Sequence, residues 1–266
     1  MRRVCGVLGS PIGHSLSPVL HRAGYRAVGL DWTYDAHEVS SGELPAFLTR
    51  LDDSWRGLSL TMPLKREALP LAAVVSDVAR AAGAANTLVR RDDGTWAADN
   101  TDVPGLVAAL QERWPSPVER AVILGGGATA ASALLALATT GCREFTLAVR
   151  DPGRAAETLE VAERLAEPVD VRIVGLGDDA AADLVVSTIP ADAQTPELLA
   201  AYAAVPVVFD VVYDPWPTPL LAANGNRVVV TGLDLLVHQA ALQFTMFTGL
   251  PAPLREMRDA GRTALA

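Results

Sequence analysis

Cysteine is nearly absent from this chain. Its two residues, Cys5 and Cys142, stand far apart in a 266-residue sequence. Such a pair supplies neither a disulfide framework nor a metal cluster, and both read as buried thiols. Histidine is scarce too: His14, His21, His37 and His238 never adopt the HExxH spacing of a zinc site, so no metal is expected. No apolar run reaches the ~18 residues of a spanning helix, and the first strand meets Gly9-Ser10-Pro11 too soon for a signal-peptide core. A soluble cytoplasmic protein with no membrane partner is therefore expected. Basic clusters are missing as well. The 22 Lys and Arg against 31 Asp and Glu leave a net charge of -9, which argues against a nucleic-acid surface. A small anionic ligand needs only a local donor site and is not excluded.

What is present is apolar. A hydrophobic fraction of 50% excludes general disorder, and the length allows one large core or two domains. Strands are expected over Val4–Leu8, Trp32–His37 and Arg56–Thr61. Helices are expected over Pro18–Val28, capped by Ser17, then over Ser41–Leu51 and Leu71–Ala82, the last stopped by Gly83. Asn86–Arg91 and Thr95–Ala98 flank an Asp92-Asp93-Gly94 turn and read as a hairpin. That alternation predicts a mainly parallel α/β sheet. After a helix from Val103 to Arg113, the segment Trp114-Pro115-Ser116-Pro117 is the best boundary in composition. Beyond it, strands at Arg120–Leu124, Phe145–Val149, Val169–Val174, Asp183–Ser187, Val205–Val212 and Asn226–Thr231 alternate with helical stretches, which predicts a doubly wound parallel sheet. A final helix is expected over Leu235–Leu250.

Gly125-x-Gly127-x-x-Ala130 follows a strand and opens a helix. The glycines permit a tight turn and close approach of a pyrophosphate, and Ala130 keeps the helix near the sheet. Free N–H groups at the helix start, around Gly126, Ala128 and Thr129, suit phosphates. A flavin or an S-adenosyl group would use related geometry. The next strand ends at Val149-Arg150-Asp151, with Arg154 close behind. Two guanidiniums suit a ribose 2′-phosphate and so NADP, whereas Asp151 pulls toward NAD.

Between Ser59 and Asp102 the chain gathers a cation, a carboxylate and amides: Lys65, Asn86, Thr87, Asn100 and Asp102. Such a set could hold a polyol and manage one proton.

With Ser15-Leu16-Ser17-Pro18 and the following His21, the pattern resembles the shikimate dehydrogenase family over essentially the whole chain. The resemblance also rests on Ser59-Leu60-Thr61-Met62-Pro63-Leu64-Lys65, Gly83-Ala84-Ala85-Asn86-Thr87 and Asn100-Thr101-Asp102 with Gly105. Later matches are Asp210, Tyr213, Pro215, Thr218 and Leu220, then Gly232, Leu236 and Gln239. Ser59 replaces the family's common Asn, Leu235 its usual Met, and Val149 and Asp151 flank the retained Arg150. We read these departures as an actinobacterial-like variant of the motifs.

The resemblance implies a substrate-binding domain over 1–103, an NADP-binding Rossmann-like domain over 104–234, and C-terminal helices over 235–266 packing back on the first. It implies reversible reduction of 3-dehydroshikimate to shikimate by NADPH, by a monomer or homodimer. Lys65 and Asp102 would be catalytic: a charged lysine suits the acid role, and Asp102 would orient it. Ser15 and Ser17 would hold the carboxylate, with Thr61, Asn86, Tyr213 and Gln239 on the rest of the substrate. Besides the glycine turn and the two arginines, Thr188, Val211, Gly232 and Leu235 would line the cofactor site. A quinate/shikimate dehydrogenase with relaxed substrate or NAD use, and a catalytically idle Rossmann-like binding protein, are the alternatives. Ser17 favours shikimate over quinate, and the Lys65 and Asp102 pair argues against idleness.

Overall fold

The computed structural model describes residues 3–178 and 180–266. The chain forms two compact units, one of residues 1–101 and 236–266, the other of residues 102–235. Each has its own six-stranded sheet.

The first unit runs β1 (Val4–Gly9), α1 (Ser17–Ala27), β2 (Thr33–Glu38), α2 (Leu44–Leu48), β3 (Trp55–Leu60), β4 (Val74–Val75), α3 (Asp77–Ala82), β5 (Thr87–Arg90) and β6 (Trp96–Asp99). Its strands lie in the order β2-β1-β3-β5-β6-β4. The β1–β2, β1–β3 and β4–β6 pairings are parallel, while the hairpin β5–β6 and its join to β3 are antiparallel. Leu8, Leu58, Leu60, Leu64 and Leu88 fill a core on this sheet.

Three local expectations change. Ser41 does not start a helix. Glu67 accepts bonds from the Ser41 hydroxyl and the Gly42 N–H, and Gly42 has a φ of 82°. This distant carboxylate holds a turn where periodicity alone would continue the helix, so α2 begins only at Leu44. The stretch from Leu71 splits likewise. Val74 and Val75, β-branched residues suited to a pleated edge, pair with β6. Ser76 then caps α3 by accepting from the Ala79 N–H at 3.1 Å, and Gly83 ends it in the left-handed region. Ser17, finally, lies inside α1 rather than capping it. Its N–H points to the Ser15 hydroxyl at 3.4 Å.

The second unit runs α4 (Asp102–Arg113), β7 (Arg120–Leu124), α5 (Ala128–Thr139), β8 (Glu144–Val149), α6 (Ala156–Glu163), β9 (Asp170–Gly175), β10 (Leu184–Ser187), α7 (Pro196–Ala201), β11 (Val207–Asp210), α8 (Pro219–Ala222) and β12 (Val228–Val230). All five strand pairings are parallel, in the order β12-β11-β10-β7-β8-β9. This is a doubly wound Rossmann-like sheet whose winding reverses between β7 and β10. The two prolines at 115 and 117 follow α4 inside this unit. Short α7 and α8 were not legible as periodic segments, yet each starts at a proline behind a capping threonine, Thr195 or Thr218.

Helix α9 (Gly232–Thr248) starts in the second unit, and from Leu236 its residues belong to the first, as does α10 (Leu254–Leu265). In the first unit α10 packs along α1, and α9 presses on β3. A Cβ added at Gly57 would stand 2.2 Å from the Phe247 ring, so only glycine fits there. Both cysteines are buried free thiols, and burial pushes Cys5 up to about 12 and Cys142 up to about 11. No helix among the described residues is long and apolar enough to cross a membrane. Nor do the described residues place three or more His, Cys, Asp or Glu side chains to hold a metal ion.

Candidate active site

In the first unit, polar groups converge where β3 ends and β5 begins. The Ala85 N–H bonds the Lys65 carbonyl at 2.7 Å, and the Leu60 N–H bonds the Asn86 carbonyl at 2.7 Å. Lys65 and Asn86 are thereby fixed on neighbouring backbone segments. Thr61 continues from β3, its N–H on the Leu8 carbonyl at 2.9 Å, and Gly9 lies so close that a Cβ there would meet the Thr61 methyl at 2.3 Å. Ser15 precedes α1, and buried Ser17 stands in its first turn.

Asn86 is only 2% exposed, and its amide is fully engaged. Its Oδ1 accepts from the Thr101 N–H at 2.8 Å and the Thr87 hydroxyl at 2.7 Å. Its Nδ2 donates to the Thr101 hydroxyl at 2.9 Å and to Gln239 Oε1 at 3.3 Å. Because a main-chain N–H can only donate, the amide orientation is set rather than free. Gln239, on α9, donates in turn to the Leu236 carbonyl. Asn100 serves the frame, bonding the Ala84 carbonyl at 2.9 Å. The structure thus gathers Thr61, Lys65, Asn86 and Gln239 in one unit. Asp102, at the start of α4 and 6% exposed, and Tyr213, in the loop after β11, stand in the other.

Behind Asn86 lies a buried layer in which the sequence reading named Ser59 and His21 as motif residues but missed Tyr34 and Gln243. Ser59, Gln243 and Tyr34 are 4%, 1% and 0% exposed. His21 stacks on Tyr34 with ring centroids 4.1 Å apart. Burial drives the His21 imidazole down to about 3. One signal was available: Gln239 and Gln243 are four residues apart and share a face of α9.

In the second unit, the glycine turn leaves β7 at the point where the winding reverses, the usual place for a ligand in such sheets. Gly125 has a φ of 109°, and a Cβ there would meet the Thr188 hydroxyl at 2.5 Å. Gly126 is packed against the next crossover: a Cβ would stand 2.3 Å from the Arg154 carbonyl. Gly127 borders open space and heads the 12-residue helix α5 without a side-chain cap, since glycine has no oxygen to offer the first-turn N–H groups. Ala130 is fully buried. This arrangement suits a pyrophosphate.

The remaining expected cofactor residues collect at the same strand ends. The Thr188 hydroxyl donates to the Leu124 carbonyl at 2.8 Å. The Val211 N–H bonds the Ser187 carbonyl, and a Cβ on Gly232 would lie 2.5 Å from the Val211 carbonyl. Leu235 is buried one turn into α9. Arg150 and Arg154 are exposed beyond β8. Under this rim, Asp210 accepts from Gln194 Nε2 at 2.8 Å, the Thr218 hydroxyl at 2.7 Å and the Val212 N–H at 3.2 Å. Burial raises its carboxyl, and those bonds oppose the shift. The network anchors the loop that carries Val211 and Tyr213.

A Rossmann-like unit with a glycine turn at its switch point, joined to a second α/β unit, defines the class. Comparison with known proteins places the chain within it. Residues 7–88 match the shikimate dehydrogenase substrate binding domain, and residues 232–260 the shikimate 5'-dehydrogenase C-terminal domain. The shikimate dehydrogenase (NADP(+)) of Moorella thermoacetica is 37% identical over 97% of this chain and 92% of its own length. The crystal structure of Mycobacterium tuberculosis shikimate dehydrogenase is 43% identical, with a TM-score of 0.87 over 98% of this chain and 99% of that one. The Thermus thermophilus enzyme, solved with NADP(H) and shikimate, is 32% identical, with a TM-score of 0.85 over 99% of this chain and 100% of that one. The chain belongs to the shikimate dehydrogenase family.

Proposed function

We propose that this protein catalyses the reversible, NADP-dependent reduction of 3-dehydroshikimate to shikimate. The observation that carries the reading is the oriented Asn86 amide, with Gln239 bonded to it and Lys65 on the adjoining segment. The Thermus thermophilus relative, solved with NADP(H) and shikimate, supports the same choice of ligands. The departures from the family motifs we read as an actinobacterial-like variant, in keeping with 43% identity to the mycobacterial enzyme.

In this reading the substrate carboxylate meets the hydroxyls of Ser15 and Ser17. Thr61, Asn86 and Gln239 take ring hydroxyls, and Tyr213 serves the carboxylate end. Lys65 gives a proton to the carbonyl oxygen during reduction and takes it back in oxidation, and Asp102 orients the amine. The start of α5, from Gly125 to Ala130, holds the cofactor's pyrophosphate. Arg150 and Arg154 hold its 2′-phosphate, and Thr188, Val211, Gly232 and Leu235 line the rest. NADPH, when bound, supplies the hydride. The chain acts as a soluble enzyme of the cytoplasm, as a monomer or homodimer.

The test crosses shikimate and quinate with NADP and NAD, following nicotinamide absorbance. Shikimate with NADP should give the highest kcat/KM. Turnover with none of the four pairs would overturn the enzymatic reading. Preference for quinate or NAD would move the protein to the relaxed relative, where Asp151 beside Arg150 speaks for NAD and Ser17 speaks against quinate.

A further inference from the structure

We propose that Gln243 is a positioning residue that fixes Asn86 through a buried hydrogen-bonded chain beginning at Tyr34. The inference rests on the substrate-holding role given to Asn86 above, and it adds Tyr34 and Gln243, which lie outside the motifs, to Ser59 and Thr87, which lie within them.

The chain has one self-consistent polarity. The Tyr34 hydroxyl donates to Ser59 Oγ at 2.5 Å, and Ser59 donates to Gln243 Oε1 at 2.6 Å. Gln243 Nε2 donates to the Asn86 carbonyl at 3.1 Å and to Thr87 Oγ1 at 2.9 Å. Thr87 then donates to Asn86 Oδ1 at 2.7 Å. A carbonyl only accepts, so the Gln243 nitrogen must face Asn86 and its oxygen must face Ser59. Because Thr87 accepts from Gln243, its own proton goes to Asn86 Oδ1. Thr87 thereby reinforces the orientation that the Thr101 N–H gives Asn86 Oδ1, and the Asn86 N–H groups are left toward Thr101 and Gln239. A substrate hydroxyl taking the place of Gln239 Oε1, the longer of these two bonds at 3.3 Å, meets a donor of fixed direction.

The setting gives each link leverage. These side chains are 0 to 4% exposed, so an unmade bond is not replaced by bulk water. His21, stacked on the Tyr34 ring, holds the first link in place. Gln243 reaches both the backbone and the side-chain acceptor of the β5 entrance from α9, a helix that also supplies Gln239.

Three variants test this, each assayed with shikimate and NADP and examined for the Asn86 side-chain amide resonances. Gln243→Leu should raise the KM for shikimate about tenfold, the equivalent of one lost buried hydrogen bond, and leave the KM for NADP within about twofold. Tyr34→Phe keeps the stacked ring and removes one hydroxyl, so it should raise the same KM about two- to threefold. Gln243→Glu can donate to the Asn86 carbonyl only when protonated, so its KM for shikimate should climb with pH relative to wild type. A merely structural role would not give that pH profile. A folded Gln243→Leu protein with unchanged KM for shikimate, or with both KM values raised equally, would overturn the proposal. If Gln243→Leu does not fold, a flat relative pH profile for Gln243→Glu overturns it. If wild type turns over no shikimate, the functional reading fails by itself. The chain is then judged by the Asn86 resonances, whose shift in Tyr34→Phe upholds it and whose constancy rejects it.

Discussion

The Asp151 carboxylate accepts the main-chain N–H of Gly153 at 2.9 Å and caps the short 3-10 turn, Pro152–Ala155, that carries Arg154. The acid beside Arg150 thus has a local structural task, which matters for the cofactor. Arg154 is held on a loop whose carbonyl packs over Gly126. Arg150→Ala should weaken NADP about 10- to 150-fold, the range for a lost charge-assisted hydrogen bond of roughly 1.5 to 3 kcal/mol, and leave NAD nearly unchanged. Asp151→Asn keeps a capping oxygen without the charge and should hold or improve NADP affinity. Titration of both cofactors at one fixed salt concentration checks this, because exposed charges are screened. Equal weakening of NAD and NADP by Arg150→Ala would remove the 2′-phosphate assignment.

Gly126→Ala should damage nucleotide binding more than shikimate binding. Its Cβ would stand 2.3 Å from the Arg154 carbonyl, a backbone atom that must move. Overpacking of this kind costs about 1 to 3 kcal/mol. Thermal unfolding with and without NADP measures it, and an unchanged KM for NADP would show that the loop yields freely.

Lys65→Ala should lower kcat about 100-fold or more, as loss of a general acid does, with NADP affinity retained. A variant keeping more than about a tenth of the wild-type kcat would take the proton from another group.

Ser15→Ala should act mainly on the KM for shikimate. A hydroxyl on a carboxylate remote from the reacting carbon holds ground and transition states alike, so kcat should stay near wild type. Steady-state constants equal to wild type would place the carboxylate elsewhere.

His21 predicts a pH dependence of stability. Its imidazole, near 6.5 when exposed, is driven down to about 3 by burial. The folded state therefore excludes a proton that the unfolded chain binds. The contribution is intact above about pH 6.5 and is lost as pH falls toward 3. Between pH 7 and 5 the loss should be about 2 kcal/mol. His21→Phe keeps an aromatic ring against Tyr34 and should flatten this slope in urea unfolding. Parallel slopes for the two proteins would show that His21 is protonated without cost.

The sequence by itself determined the second unit almost strand by strand. Apolar runs such as Ala121–Leu124 and Leu184–Ser187 are buried on both faces of a parallel sheet, so their hydrophobicity is a local property of the chain. The same holds for Gly125 and Gly126 of the glycine turn, where backbone conformation or close packing leaves no choice of residue, and for the hairpin around Gly94, whose φ is 82°. Ser15, Lys65, Asn86 and Gln239 were legible as candidates because they sit inside spaced motifs.

Tertiary structure decided the rest, for two physical reasons. Short elements yield to distant partners. Glu67 stopped a helix at Ser41, and the edge of β6 drew Val74 and Val75 out of another. The polar layer behind Asn86 is likewise assembled from Tyr34, Ser59, Thr87 and Gln243, which no periodicity links. Each could have been a solvated surface residue. Only burial within one core, where an unmade hydrogen bond is not replaced by water, turned them into a hydrogen-bonded chain with a single direction.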